Sequence, residues 1–118
     1  MENKRKIGAG YEKMAADYLV MHGYEILEYN YRNRTGEIDL IAREGEYLCF
    51  VEVKYRKNNS SGSPLEAVTK RKQQNISRVA KHYLLSHGYD EWTSCRFDVV
   101  GITGTEIELV QNAFEFSP

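Results

Sequence analysis

The sequence predicts an α/β fold, a single domain over residues 1–118 in which a mixed central sheet of about five strands is flanked by two main helices. Three observations lead there. The chain has 118 residues, 42% of them hydrophobic and 28% charged, which suits one soluble globular core. Two stretches carry apolar residues at helical spacing. Between and after them lie shorter apolar runs separated by turn residues, as strands are.

Along the chain, Tyr11, Met14, Ala15, Tyr18, Leu19 and His22 recur at helical spacing, and Gly23 supplies a stop. Tyr24 to Tyr31 reads as a strand, with Tyr24, Ile26 and Glu28 alternating against Glu25, Leu27 and Tyr29. Asn33 to Gly36 is a loop. Ile38–Arg43 and Tyr47–Lys54 are two apolar runs around the turn signal Glu44-Gly45-Glu46. Gly45-Glu46 fits a two-residue hairpin loop with glycine first. Lys57 to Ser63 is polar and rich in Asn, Ser and Gly, a connector or a loop able to close over a substrate. Ser63-Pro64-Leu65-Glu66 predicts a helix start with Ser63 as N-cap, Pro64 in the first position and Glu66 completing a capping box. That helix is expected to run to about Ser86, with Ile76, Val79, Ala80, Tyr83 and Leu84 on its buried stripe. Arg96–Ile102 and Glu106–Val110 form a last strand pair around Gly104-Thr105.

Asp39, Glu52 and Lys54 are the charges that need explaining. They sit inside two of the most apolar stretches, where an isolated charge costs several kcal/mol unless it is paired or holds a metal. Alternation puts Glu52 and Lys54 on one side of their strand. Counting back from a Gly45-Glu46 loop sets Glu44 against Tyr47 and Asp39 against Glu52. Like charges directly opposed destabilise a strand pair, and a hard divalent cation between them reverses that sign. Two plainer readings stand beside this one: edge-strand charges that prevent aggregation, or an ion pair of Lys54 with either acid. Asp98, also in an apolar strand, is expected to anchor Arg96 or a backbone turn.

Asp39, twelve residues, then Glu52-Val53-Lys54 resembles the PD-(D/E)XK nuclease superfamily, the restriction-endonuclease-like fold that includes Holliday junction resolvases. More narrowly, the chain resembles the YraN-like family of small bacterial proteins. The matching segments are Gly8, Glu12 and Ala15-Ala16; Gly36 to Ile41; Phe50 to Arg56; Val68-Thr69 with Lys72-Gln73; Arg96 to Val100; and Asn112-Ala113-Phe114. Ile38 stands where the superfamily has a proline before the first acid. The resemblance implies that Asp39 and Glu52 ligate Mg²⁺ or Mn²⁺ with the Val53 carbonyl, and that Lys54 orients the attacking water or offsets charge on the phosphate. It implies Glu12 as a helix-borne fourth catalytic residue, beside the alternative of a solvated helix glutamate. Lys72 and Gln73 are expected near the substrate phosphate or the metal-bound water, or on an ordinary helix surface.

The net charge of −1 gives no overall attraction for nucleic acid, so binding depends on where the cations sit. They cluster at Lys4-Arg5-Lys6, at Arg32 with Arg34, at Lys54-Tyr55-Arg56-Lys57 and at Lys70-Arg71-Lys72. Arg34, Arg56, Lys57, Lys70, Lys72 and Gln73 are the expected nucleic-acid contacts, with Tyr55 a candidate for base stacking. Other chemistries lack their motifs. His22, His82 and His87 are not at zinc spacing with Cys49 or Cys95, and Gly8-Ala9-Gly10 has neither the strand nor the third glycine of a dinucleotide fingerprint. No apolar run reaches the length of a membrane span, and no apolar segment follows the basic start as in a secretory signal. The cysteines are expected as free thiols and the protein as cytoplasmic.

The expected function is Mg²⁺-dependent hydrolysis of phosphodiester bonds in DNA, at branched or recombination and repair intermediates by analogy with the resolvases. A homodimer would suit a junction that needs two nicks. The alternatives are a non-catalytic nucleic-acid-binding module that keeps the fold, and a structural or interaction protein whose strand acids carry no ligand.

Overall fold

A computed structural model of the chain describes residues 4–57 and 62–117, with side chains described from Gly10 onward. Helix α1 (Lys4–Met21) leads into strands β1 (Glu25–Arg32), β2 (Glu37–Glu44) and β3 (Tyr47–Arg56). A 3₁₀ turn (Leu65–Ala67) and helix α2 (Lys70–Ser86) follow, then β4 (Cys95–Thr103) and β5 (Glu106–Phe114). The strands form one sheet in sequence order, antiparallel except for the central β3–β4 pair, which is parallel and joined through α2.

The two helices cover opposite faces of this sheet. On one face Ala15, Ala16 and Leu19 of α1 pack against Leu40, Ala42, Cys49, Val51, Val100 and Ile102. On the other, Ile76, Val79, Ala80 and Tyr83 of α2 pack against Ile41, Leu48, Phe50, Phe97 and Val99. Both faces of β3 are therefore apolar at its start. A strand buried on both sides reads as a continuous apolar run, as this one does. Each fully buried Leu, Ile or Phe contributes about 1.5–3 kcal/mol, and the edge-on contacts of Tyr83 with Phe50 and Tyr31 tie α2 to β3 and β1.

Gly23 ends α1 at φ +90°, a conformation costly for any residue with a Cβ. The β2–β3 hairpin has the expected register, with Glu44 paired to Tyr47 and Gly45 at φ +60°. Two features depart from expectation. First, β1 bulges at Leu27, so Glu28 pairs with Ile41 and joins Leu27 on the α2 face, where it lies 3.6 Å from His87. Simple alternation had placed Glu28 with Ile26; one inserted residue moves it across the sheet.

Second, the helix expected from Ser63 breaks in two. Leu65–Ala67 forms a single 3₁₀ turn whose N-terminus has no side-chain cap, and buried Val68 is extended at φ −99°, ψ 97°. Helix α2 starts only at Lys70, capped by Thr69, whose Oγ1 accepts from the Lys72 N–H at 3.2 Å. Two β-branched residues in succession, one of them drawn into the core, outweigh the Ser63/Glu66 capping box. Buried Pro64 packs over Gly101 of β4, where an added Cβ would meet the proline ring. The polar stretch after Lys57 falls largely on residues 58–61, outside the described residues.

In β4, opposite Val51 of β3, Asp98 is fully buried and fully paired. It accepts from Arg96, from the Tyr24 hydroxyl at 2.8 Å and from the Asn112 N–H at 2.9 Å. Asn112 has φ +52° at a bulge in β5, so Asp98 anchors both Arg96 and a backbone irregularity. Cys49 and Cys95 are free thiols.

Candidate functional site

The candidate site begins where the β2–β3 ladder ends. Main-chain pairing continues from Glu44–Tyr47 to Leu40–Val51 and stops there. The next inward-facing donor, the Val53 N–H, is taken instead by the Asp39 carboxylate, with Oδ2 at 2.8 Å. Asp39 thus substitutes for main chain at the point where β2 parts from β3. A strand residue turns its N–H and C=O toward the same neighbour, so the Val53 carbonyl faces this gap as well.

Glu52 is adjacent. Leu48 and Phe50 belong to the α2-facing core and alternation carries Glu52 and Lys54 to that side. Glu52 is only 6% exposed, and its Oε2 has no hydrogen-bond partner. The nearest cation is the Lys72 ammonium on the first turn of α2, 3.6 Å from Oε2. Burial, then the hydrogen bond and charge of Asp39, push the Glu52 carboxyl up to about 9, against the pull of Lys72 and Lys54. With no cation between the acids, Glu52 therefore keeps its proton to a higher pH than a free glutamate does.

Glu12 approaches Asp39 from α1. Its carboxyl is raised by burial, against the hydrogen bond from Asn30, and further by the Asp39 carboxyl and by Glu37. Asn30 Nδ2 donates to Glu12 Oε2 at 2.8 Å and does so from a left-handed backbone conformation, φ +50°, within strand β1. The fold therefore gathers Glu12, Asp39, Glu52, Lys54, Lys72 and the Val53 carbonyl around the point where β2 parts from β3.

The other expected contacts are more scattered. Gln73 lies in the same turn as Lys72, but its Nε2 donates to the Val68 carbonyl, bracing the break before α2. Arg56 is half-buried on β3, with Nε and Nη1 lacking hydrogen-bond partners. Lys57 and Lys70 are exposed, and Arg34 is exposed on the β1–β2 turn. Tyr55 stacks on Tyr11 at 4.0 Å, so its ring already has an aromatic partner within the chain. The side chains of Lys4-Arg5-Lys6 lie outside the described residues. Asn30 was not among the expected site residues. Its one sign in the sequence is an asparagine set between strand tyrosines, the residue type that tolerates φ > 0 most readily.

Among the described residues no three His, Cys, Asp or Glu side chains form a ready-made metal cluster. The donor set that is present is oxygen only: two carboxylates, a main-chain carbonyl and a third acid nearby. Mg²⁺ is bound in this way, through one or two carboxylates with waters and substrate oxygens completing the octahedron. Glu52 Oε2 is buried without a hydrogen-bond donor, and the Asp39 charge beside it disfavours its ionisation, a repulsion that a cation between the two acids would offset. The residues fit such an ion.

The chain belongs to the family described as uncharacterised protein family UPF0102, whose model matches residues 11–102, a span that contains all of these site residues. It is similar to the UPF0102 protein of Lachnoclostridium phytofermentans, 53% identical over 113 residues that cover 96% of each chain. It is also similar to that of Serratia proteamaculans, 43% identical over 113 residues covering 95% of this chain and 97% of the relative. A third, from Chlorobium chlorochromatii, is 54% identical over 97 residues, 82% of this chain and 74% of the relative. This is the YraN-like family that the Gly36–Ile41 and Phe50–Arg56 segments resemble. No helix among the described residues is long and apolar enough to cross a membrane.

Proposed function

We propose that this chain is a Mg²⁺-dependent endonuclease of the PD-(D/E)XK type that hydrolyses phosphodiester bonds in DNA. The observation that carries the reading is Glu52: a buried acid whose Oε2 has no hydrogen-bond donor and only the Lys72 ammonium at 3.6 Å, beside Asp39 at an opened strand pair, on the same face as Lys54. A structural acid in such a place would be satisfied as Asp98 is, by three separate donors.

Asp39, Glu52 and the Val53 carbonyl would hold the ion, with Glu12 the further acid on the α1 side. When bound, the ion supplies Lewis acidity toward the phosphate and lowers the pKa of a coordinated water. Lys54, two residues beyond Glu52 on the same strand face, would orient the attacking water and offset charge building on the phosphate. Lys72 provides a second cation at the rim. Asn30 holds Glu12 toward Asp39, and the Asp39–Val53 bond fixes the first acid against β3. Branched DNA as the preferred substrate follows from the resemblance to resolvases, and cutting both strands of a branch would call for two copies of the chain.

The test is cleavage of labelled duplex, flap and four-way-junction DNA in Mg²⁺ or Mn²⁺. Wild type is expected to cut, Glu52→Gln to lose at least about 100-fold while staying folded, and Lys54→Ala to slow strongly while still binding metal. Cleavage by Glu52→Gln at the wild-type rate would refute the site. DNA binding without any turnover would assign the non-catalytic module instead.

A further inference from the structure

We propose that the cleft between the β1–β2 turn and the first two turns of α2 is a second phosphate site, which seats the nucleic-acid backbone beside the carboxylates. This rests on the nuclease reading for the identity of the polyanion. Two adjoining recesses share Gly36 and Glu37; Arg32 and Arg34 line one, Arg71 and Lys72 the other. Glu37 is the one acid in the lining and is already held by Arg32 at 3.1 Å. Lys72 faces Glu52. Arg34 and Arg71 have no acidic partner among the described residues, so two guanidinium groups face the cleft uncommitted. In a chain whose net charge is −1, this is a local concentration of cations.

The cleft is also pre-organised. Asn33 Oδ1 accepts from the Thr35 and Gly36 N–H groups, and the Asn33 N–H donates to the Gly36 carbonyl. Asn75 of α2 donates to the Thr35 carbonyl at 3.2 Å. Gly36 lies so close to Asn75 that an added Cβ would strike its Oδ1. Turn and helix are thereby clamped together, and Arg34 and Arg71 project from a rigid frame, which lowers the ordering cost of binding. The two bonds at Asn33 Oδ1 fix which atom is the amide nitrogen. That Nδ2 is a buried donor with no acceptor, in a residue that lines the cleft. Guanidinium forks without acidic partners match phosphate oxygens. Lys72 belongs both to the cleft and to the Glu52 contact, so a strand bound here continues into the carboxylate site.

The experiment measures binding without catalysis: fluorescence anisotropy of a labelled single-stranded DNA oligonucleotide in EDTA, across a salt series. Arg34→Gln/Arg71→Gln is expected to weaken binding on the order of tenfold and to make the log–log salt slope shallower by about 1.4, roughly 0.7 for each lost phosphate contact. Arg78→Gln/Lys81→Gln removes the same charge from a separate recess on the same helix and is expected to bind within about twofold of wild type. Arg34→Glu alone should reproduce the loss if the paired variant fails to fold. Wild-type protein that does not bind, equal losses in the two double variants, or equal competition by polyglutamate would each overturn the proposal. Because no metal is present, a protein that binds here but never cuts would retain the cleft and lose the nuclease reading.

Discussion

Glu52 and Asp98 are both buried acids in adjacent strands, and their surroundings give them opposite chemistry. Asp98 is surrounded by donors, including Arg96, whose guanidinium is raised by its bonds and charge interaction with Asp98 despite burial. Glu52 faces another acid, with the Lys72 ammonium 3.6 Å away and Lys54 beyond it, and burial raises it from 4.5 to about 9 against both cations. A carboxyl raised on folding binds its proton in the native state while the unfolded chain has released it. Stability is therefore fullest below pH 4.5 as far as this group is concerned, and falls as pH rises from there to about 9. In EDTA, urea unfolding of the wild type is expected to lose up to about 1.4 kcal/mol per pH unit through this window. Glu52→Gln, which cannot ionise, should flatten that slope and match or exceed wild-type stability at pH 8. An unchanged slope in the variant would mean that Glu52 carries no such proton.

Among the secondary-structure elements, the start of α2 decides how Lys72 reaches Glu52. The Thr69 cap sets the helix in register so that its first turn, not its second, faces the site. Thr69→Ala is expected to cost about 1 kcal/mol and to weaken the Lys72–Glu52 contact, whereas Ser63→Ala should change stability by less than about 0.5 kcal/mol; chemical denaturation of the two variants distinguishes the starts. The break at Val68-Thr69 was hidden in the sequence because Ser63-Pro64-Leu65-Glu66 is a good local helix start, and only the burial of Val68 against the sheet overrides it. The β2–β3 register was legible, since the two-residue Gly45-Glu46 loop and alternation fix it together, and with it the approach of Asp39 to Glu52. The bulge at Leu27 and the left-handed Asn30 were not legible. Both answer to packing across the sheet and to the acid on α1, which local periodicity does not record. The same limit hid Asn75: its role depends on a turn 40 positions earlier in the chain.

For the whole molecule, the site links the two layers of packing. Glu12 comes from the helix on one face, Lys72 from the helix on the other, and the acids between them from the sheet. A cation held by Asp39 and Glu52 would bind the native chain and not the unfolded one, so it must raise the unfolding temperature by mass action. Each tenfold rise of free Mg²⁺ beyond its Kd adds about 1.4 kcal/mol, a shift of several degrees for a domain of this size. The ion competes with the proton that the pair holds, because metal ligands bind deprotonated. Mg²⁺ is therefore expected to raise Tm more at pH 8.5 than at pH 6.5, with the difference fading above the value of about 9 at which Glu52 releases its proton unaided. Melts followed by circular dichroism over a Mg²⁺ series at the two pH values test this directly. Asp39→Asn and Glu52→Gln should show neither the shift nor its pH dependence. If both variants gain as much as the wild type, the ion acts on general surface charge, and the carboxyl pair is a structural feature that needs only its proton.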